Sequence, residues 1–512
     1  MGHPKFRVSE RWRDRFWGMR SLKCCLWVVV LGLPACRGVA QVAAPVAAKA
    51  YVDGRKAELL KAYEAFLSIS DVAADPAGLR KNSDFLVEQL KARGVKARLL
   101  TAPGLAATVP PVVYGEIKTP GATRTIVLYA HYDGQPVTPS EWENGAPFTP
   151  VVKMVDGEER VYARGAGDDK AAIFAQLTAL SALEAAHVPL KANVRFVWEG
   201  EEEAGSTHLE QILMANRDLI RGDVWLVCDG PVDQTRRQNL IFGARGDAHV
   251  QITVYGANRS LHSGHYGNWA PNPAMELVQL LAGMKDKDGR VLIPHFYDGI
   301  VPLGPVERKA LAEAPENDKL LEDELALGHV DGGGMHLLEL LNEPSLNING
   351  ISSGQTGARS TNSIPPTATV NLDLRLVVGI PSKTQQERVI DYVRSQGYFV
   401  TLTPPTRAEL LGHARVAYVQ ADAGEEASRT PMDLPIASDV IKAVESARGK
   451  VILLPTSGGT VPLDAMERAA GTKTISVPIA NHDDNQHAAN ENLRLQNLWD
   501  GVETMAALID MR

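Results

Sequence analysis

Short apolar runs that end on an acidic or imidazole residue recur along this chain. Ile126-Val127-Leu128-Tyr129-Ala130 leads into His131, Val194–Trp198 (apolar but for Arg195) into Glu199, and Val224–Val227 into Cys228-Asp229. A continuous apolar run without alternation fits a strand buried on both faces, as in a parallel sheet covered by helices. The intervening stretches supply helices. Leu59, Leu60, Tyr63 and Phe66 recur at helical spacing, as do Leu79, Phe85, Leu86 and Leu90, and 170–184 is rich in Ala and Leu. Alternating strands and helices predict an α/β fold with a mostly parallel central sheet flanked by helices. Ligands collect at the carboxyl ends of such strands, where these polar residues fall.

Near residue 245 the pattern changes. His249–Tyr255 alternates like a half-exposed strand, Pro273–Met284 reads as a helix, and Ala368–Leu376 alternates with Asp373 and Arg375 on one face. Ser382–Gln396 has helical spacing and Tyr398–Leu402 reads as a strand. This mixture predicts a compact α+β unit, 243–425, inserted into the first. Between its halves, 305–335 is charged and Gly-rich, as expected of a surface excursion. The α/β pattern returns after 425, with a helix at 435–447, strands Val451–Leu454 and Thr474–Val477 around a Gly458-Gly459 loop, and a helix from about 492. The α/β unit therefore comprises 41–242 and 426–512.

The first forty residues differ from the rest. They hold eight Lys/Arg against two Asp/Glu and an apolar stretch from Leu26 to Ala35, too short for a comfortable membrane span and of the length of a signal-peptide core. Gly38-Val39-Ala40 offers a cleavage site before Gln41, and Met19 is an alternative start. Leu33-Pro34-Ala35-Cys36 is a partial lipid-attachment motif, to which Pro34 fits poorly. The expectation is an exported protein, periplasmic or secreted, with a lipid anchor at Cys36 as the alternative and no stable membrane span after cleavage. Cleavage removes Cys24, Cys25 and Cys36, leaving Cys228 without a disulfide partner. It also takes a net +6 from a chain of charge −8, leaving −14. Over the whole chain the composition, 45% hydrophobic and 22% charged, is that of a globular protein. No basic stripe interleaved with aromatics points to nucleic acid.

Each polar segment has two readings. His131 and Asp133 stand two apart on an extended segment, so Asp133 can fix the His131 tautomer beside a metal; a plain His-Asp pair at a loop start is the alternative. Asp168 and Asp169 follow a Gly-rich turn and precede a helix, where carboxylates also favour the helix dipole. In Glu199-Gly200-Glu201-Glu202-Glu203, four Glu within five residues repel one another, and a cation would relieve that; a solvated acidic loop would not need one. Asp229 ends an apolar strand, as a ligand or a buried cap. Cys228 beside it reads as buried and inert, since nearby carboxylates raise a thiol's pKa. In the polar loop 481–487, His482 and His487 compete as ligands, and spacing does not choose between them.

Taken in order, these segments resemble the di-zinc metallopeptidase family of carnosinases, succinyl-diaminopimelate desuccinylase, acetylornithine deacetylase, aminoacylase and glutamate carboxypeptidase. The long-chain dipeptidases are the most similar members. The resemblance runs from about residue 55 to the C-terminus. It is carried by 129–133, Arg164–Lys170, Glu199–Ser206, Arg245-Gly246, 261–264, 271–274, and His487 with Asn490-Glu491. The chain departs from the family at Ala171, where Gly commonly follows the Lys.

The resemblance implies that His131 and Asp229 hold one metal, Glu203 and His487 the other, and Asp168 bridges both. It makes Glu202 the general base and Asp133 the catalytic-site Asp supporting His131. It prefers His487 to His482 because His487 precedes the Asn-Glu pair. His262, Arg375, Gly458 and Gly459 become substrate-binding residues, His262 across the interface of a homodimer. The inserted unit becomes a lid and dimerisation domain, and the two flanking parts one catalytic domain. The implied cofactors are two divalent ions, zinc first, with Mn²⁺ or Co²⁺ also compatible with a thiolate-free ligand set. The implied reaction is amide hydrolysis of a dipeptide by a metal-activated water. N-acyl-amino-acid deacylation, desuccinylation or carboxypeptidase action are alternatives, and a metal-free binding protein on the same fold is the rival of another class.

Overall fold

The computed structural model describes residues 42–512. The signal-peptide reading, its cleavage site and Cys24, Cys25 and Cys36 lie outside the described residues. None of the described helices is long and apolar enough to cross a membrane.

An eight-stranded sheet forms the larger layer. Its centre is four parallel strands in the order Asn193–Glu199, Thr125–His131, Val224–Val227, Thr474–Ser476. On one side lie Val112–Ile117 and then Lys96–Leu100, each antiparallel to its inner neighbour. On the other, Asn239–Ile241 runs antiparallel to Thr474–Ser476 and is followed by Ile452–Leu454. The sheet is thus mixed, with a parallel centre. Of the four central strands, Thr125–His131 and Val224–Val227 are apolar on both faces, and those faces are covered as expected. The helix Lys170–Ala185 is buried on nearly every side, as an all-round apolar helix must be. It packs against the C-terminal helix Leu495–Ile509, which in turn carries the helix Ala44–Asp53. Ala44, Ala47, Ala48 and Val52 bury one face of that first helix.

Residues 243–429 leave and re-enter this layer through one narrow crossing. Gly243–Ala244 on the way out pairs antiparallel with Ser428–Arg429 on the way back. A Cβ on Gly243 would stand 2.3 Å from the Ser428 carbonyl oxygen, and one on Gly246 would stand 2.2 Å from that of Glu425. Between the crossings is a five-stranded sheet, ordered Ser345–Ser352, Thr367–Leu376, Gly246–Tyr255, Val416–Ala421, Phe399–Thr401. Its neighbours are antiparallel except the last pair. Helices Pro273–Ala282 and Ser382–Ser395 cover one face and close a separate apolar core with Val250, Ile252, Leu372 and Val389.

The expected surface excursion proves to be partly structural. Helix Pro305–Glu313 lies along Ile452–Leu454, and Ala314 and Leu338 pack on Ile241, Ile452 and Leu454. It covers the outer strand of the large sheet, which would otherwise present an open edge.

Candidate metal centre

Parallel register delivers the site. Thr125–His131 pairs with Asn193–Glu199 so that His131 is opposite Glu199, and with Val224–Val227 so that Tyr129 is opposite Val227. The carboxyl ends of the three strands therefore bring His131, the Glu run and Asp229 to one edge. The other two groups arrive by a small three-stranded sheet. In it Asn492–Arg494 pairs with Glu158–Tyr162, setting the 481–491 loop beside the turn that carries Asp168.

Two groups able to hold a metal ion result, and they share a residue. His131, Asp168 and Asp229 form one; Asp168, Glu203 and His487 form the other, with the ligand atoms in each group within 4.8 Å of one another. The His131 ring bonds through Nε2 to Asp168 Oδ1 at 2.9 Å. His487 Nε2 stands 3.2 Å from Asp168 Oδ2 and 3.3 Å from Glu203 Oε2. These are the five residues expected as ligands. His482 belongs to neither group.

Asp133 reaches His131 differently from expectation. The ring Nδ1 meets the Asp133 main-chain carbonyl at 3.0 Å, and the nearer carboxylate oxygen is at 3.4 Å. That carboxylate instead accepts the Glu202 amide at 3.1 Å and the Glu203 amide at 2.9 Å. It thereby caps the turn that presents both glutamates.

The electrostatics suit a cation. Burial first, then the charges of Asp229, Asp168 and Glu203, hold the Glu202 carboxyl well above the usual range. Burial and Asp168 push Glu203 up to about 8, and burial and Asp168 push Asp229 up to about 6. Asp168 goes the other way: burial opposes its ionisation, but bonds from His131 and His487 outweigh that and hold it low. Burial also opposes charge on His131, yet its bonds to Asp133 and Asp168 raise its pKa well above the ordinary value. So many buried carboxyls cannot all ionise without a positive partner. Two imidazoles and three carboxylates with no thiolate fit a borderline or hard divalent ion.

The remaining expected residues are distributed. Arg375 donates to Thr460 Oγ1 at 2.7 Å and to Asp373 at 3.3 Å, which joins it to the loop of Gly458 and Gly459. His262 is exposed, stacks on His265 with ring centroids 4.4 Å apart, and makes no bond to the ligand cluster among the described residues. Cys228 is buried against Met505; burial raises its thiol pKa most, and the expected contribution of nearby carboxylates, Asp169 and Asp229, adds to it.

Several residues that hold the site were not singled out for that role from the sequence. Asp169 accepts the His131 amide at 3.2 Å. Gln135 donates to Glu203 at 2.6 Å and Gln486 to Asp168 at 2.8 Å. Lys170 forms a fully buried ion pair with Asp71 at 2.9 Å. Nearness to the motifs signalled Gln135, Asp169, Lys170 and Gln486, and nothing in the sequence signalled Asp71.

Comparison with known proteins agrees with this geometry. A Cys-Gly metallodipeptidase of Candida albicans is 25% identical over 480 residues, covering 90% of this chain and 95% of the relative. The human Beta-Ala-His dipeptidase is 27% identical over 421 residues, covering 79% of this chain and 78% of the relative. The crystal structure of an M20 family metallo-carboxypeptidase, Sso-CP2 from Sulfolobus solfataricus, superposes with a TM-score of 0.75 at 27% identity, covering 89% of this chain and 99% of that one. The sequence profile of peptidase family M20/M25/M40 matches residues 127–511. With that match spanning most of the chain and both ligand groups falling inside it, the protein belongs to this family and is a metallopeptidase.

Proposed function

We propose that the protein hydrolyses the amide bond of dipeptides, with two divalent cations, zinc in the first place, and Glu202 as general base. The observation that carries the reading is the pair of ligand groups sharing Asp168, with Glu202 buried among their charges. When bound, the cations would supply an acidified water and an electrophile for the scissile carbonyl. His131 and Asp229 would hold one, Glu203 and His487 the other, and Asp168 both. Glu202 would take the proton of the attacking water and return it to the leaving amine. A buried carboxyl held well above the usual range takes up a proton readily, as the first transfer requires. The Asp133 carboxylate would keep Glu202 in place through the main chain. Arg375, a planar cation matched to carboxylates, would face the substrate beside the Gly458-Gly459 loop.

The relatives named as Cys-Gly and Beta-Ala-His dipeptidases support dipeptides as substrates. The likeness to Sso-CP2 supports carboxypeptidase action as the second reading. The deciding experiment is amino-acid release from dipeptides, N-acetyl and N-succinyl amino acids and longer peptides, after reconstitution with Zn²⁺, Mn²⁺ or Co²⁺. Dipeptides should turn over fastest. Inert dipeptides beside an active acylated amino acid would remove the first reading.

Export and a homodimer completed by His262 belong to the same proposal. The first predicts Gln41 as the N-terminus of the mature protein. A fully active monomer in gel filtration would count against the second.

A further inference from the structure

Glu491 is fully buried, as is its partner Arg164, 327 residues away in sequence. The carboxylate has no free valence. One oxygen accepts the Gly167 amide at 2.8 Å and the Asp168 amide at 3.1 Å. The other accepts the Gly165 amide at 3.0 Å and the Arg164 guanidinium at 2.7 Å. Arg164 spends its other terminal nitrogen on the carbonyls of Ala488, at 3.1 Å, and Pro136, at 3.5 Å. Ala488 directly follows His487, and Pro136 lies in the loop that begins at His131. One ion pair therefore touches the main chain of all three loops that carry His131, Asp168 and His487.

We infer that Arg164 and Glu491 are positioning residues for the cation site, setting the bridging Asp168 in register with the His487 loop. The inference rests on reading those residues as cation ligands. Three amides directed at one carboxylate fix the Asp168 turn more tightly than packing alone, because a buried unpaired amide is costly. Neither residue touches the reacting atoms, so the effect should be on how firmly cations are held. Partners behind metal ligands typically change affinity by about 10–100-fold.

The test uses the full protein stripped of metal. It is titrated with Zn²⁺ against a chromophoric chelator and with Co²⁺ by visible absorption, with circular dichroism and melting followed in parallel. Glu491→Gln replaces one acceptor by a donor facing amides. It should weaken at least one Zn²⁺ site by about 10–100-fold and change the Co²⁺ spectrum while the protein remains folded. Arg164→Lys keeps the charge opposite Glu491 but cannot serve both carbonyls, and should shift both readouts in the same direction by less. A merely structural pair would lower melting and leave Zn²⁺ affinity and the Co²⁺ spectrum of the folded protein unchanged; that result overturns the inference. If Glu491→Gln does not fold, Arg164→Lys decides, and wild-type Zn²⁺ affinity in it overturns the inference. Failure of the ligand reading looks different: unaltered protein takes up no Zn²⁺, and both ideas fall.

Discussion

The glutamates at 199–203 show how neighbouring residues of one type acquire different tasks. Glu199 ends its strand under the Tyr129 hydroxyl at 2.6 Å, and burial raises its pKa to about 8. Glu201 turns away to His208 at 2.9 Å. Glu203 joins a ligand group and Glu202 does not. Their mutual repulsion was visible in the sequence, but only the family resemblance divided Glu202 from Glu203, because spacing does not show which way a tight turn presents each side chain. Glu202→Gln should keep both cations and lower kcat by about 10²–10⁴-fold, the usual worth of a general base. Glu203→Gln should instead weaken metal binding. Metal analysis alongside turnover checks this, and metal loss in Glu202→Gln with retention in Glu203→Gln would exchange their roles. Glu491 was legible only as part of a motif; its partner and the amides it accepts are set by the fold.

At the level of elements, the apolar runs were the reliable signal. The strands Thr125–His131, Asn193–Glu199 and Val224–Val227 and the helix Lys170–Ala185 stand where the pattern put them, since double-sided burial leaves no alternation to misread. Lys96–Leu100 carries a weak pattern because it is an edge strand with only one buried residue, Leu100. Ala44–Asp53 is an Ala/Val-rich stretch whose sequence does not show its partners; the helices Leu495–Ile509 and Lys170–Ala185 give its alanines something to pack on. The crossing strands Gly243–Ala244 and Ser428–Arg429 are too short for any periodicity. Their pairing makes a sharp prediction. In Gly243→Ala the new methyl meets main chain that cannot rotate away, and overpacking of this kind costs about 1–3 kcal/mol. Gly459 has no heavy atom within 4 Å of an added Cβ, so Gly459→Ala should leave stability unchanged. Urea midpoints of the two variants compare them directly, and equal midpoints would show that the crossing is loose.

For the whole molecule, the apolar cores against the two sheets and the ligand cluster among the described residues are distributed unequally. The core built from residues 248–419 contains none of the five ligands. All five come from segments around the large sheet, the first at His131 and the last at His487. A bound cation would therefore tie sequence-distant segments of one core and leave the other untouched. Binding to the folded state alone stabilises it by about 4 kcal/mol when free cation exceeds its Kd by about 1,000-fold. Chelation should remove that much from the larger core. Calorimetry should then resolve a transition that moves down on chelation and returns with Zn²⁺, beside a second that stays in place. The crossing favours this separation, because its strand pairing is only two residues long. An interface as extensive as a core would enforce a single joint transition. The helix Pro305–Glu313 along the outer strand works against separation, as do the bond from Arg375 to Thr460 and that from Asn317 to Asp233 at 3.4 Å. The outcome therefore measures which set of contacts prevails. Two transitions shifting equally would mean that these bridges join the cores into one cooperative unit.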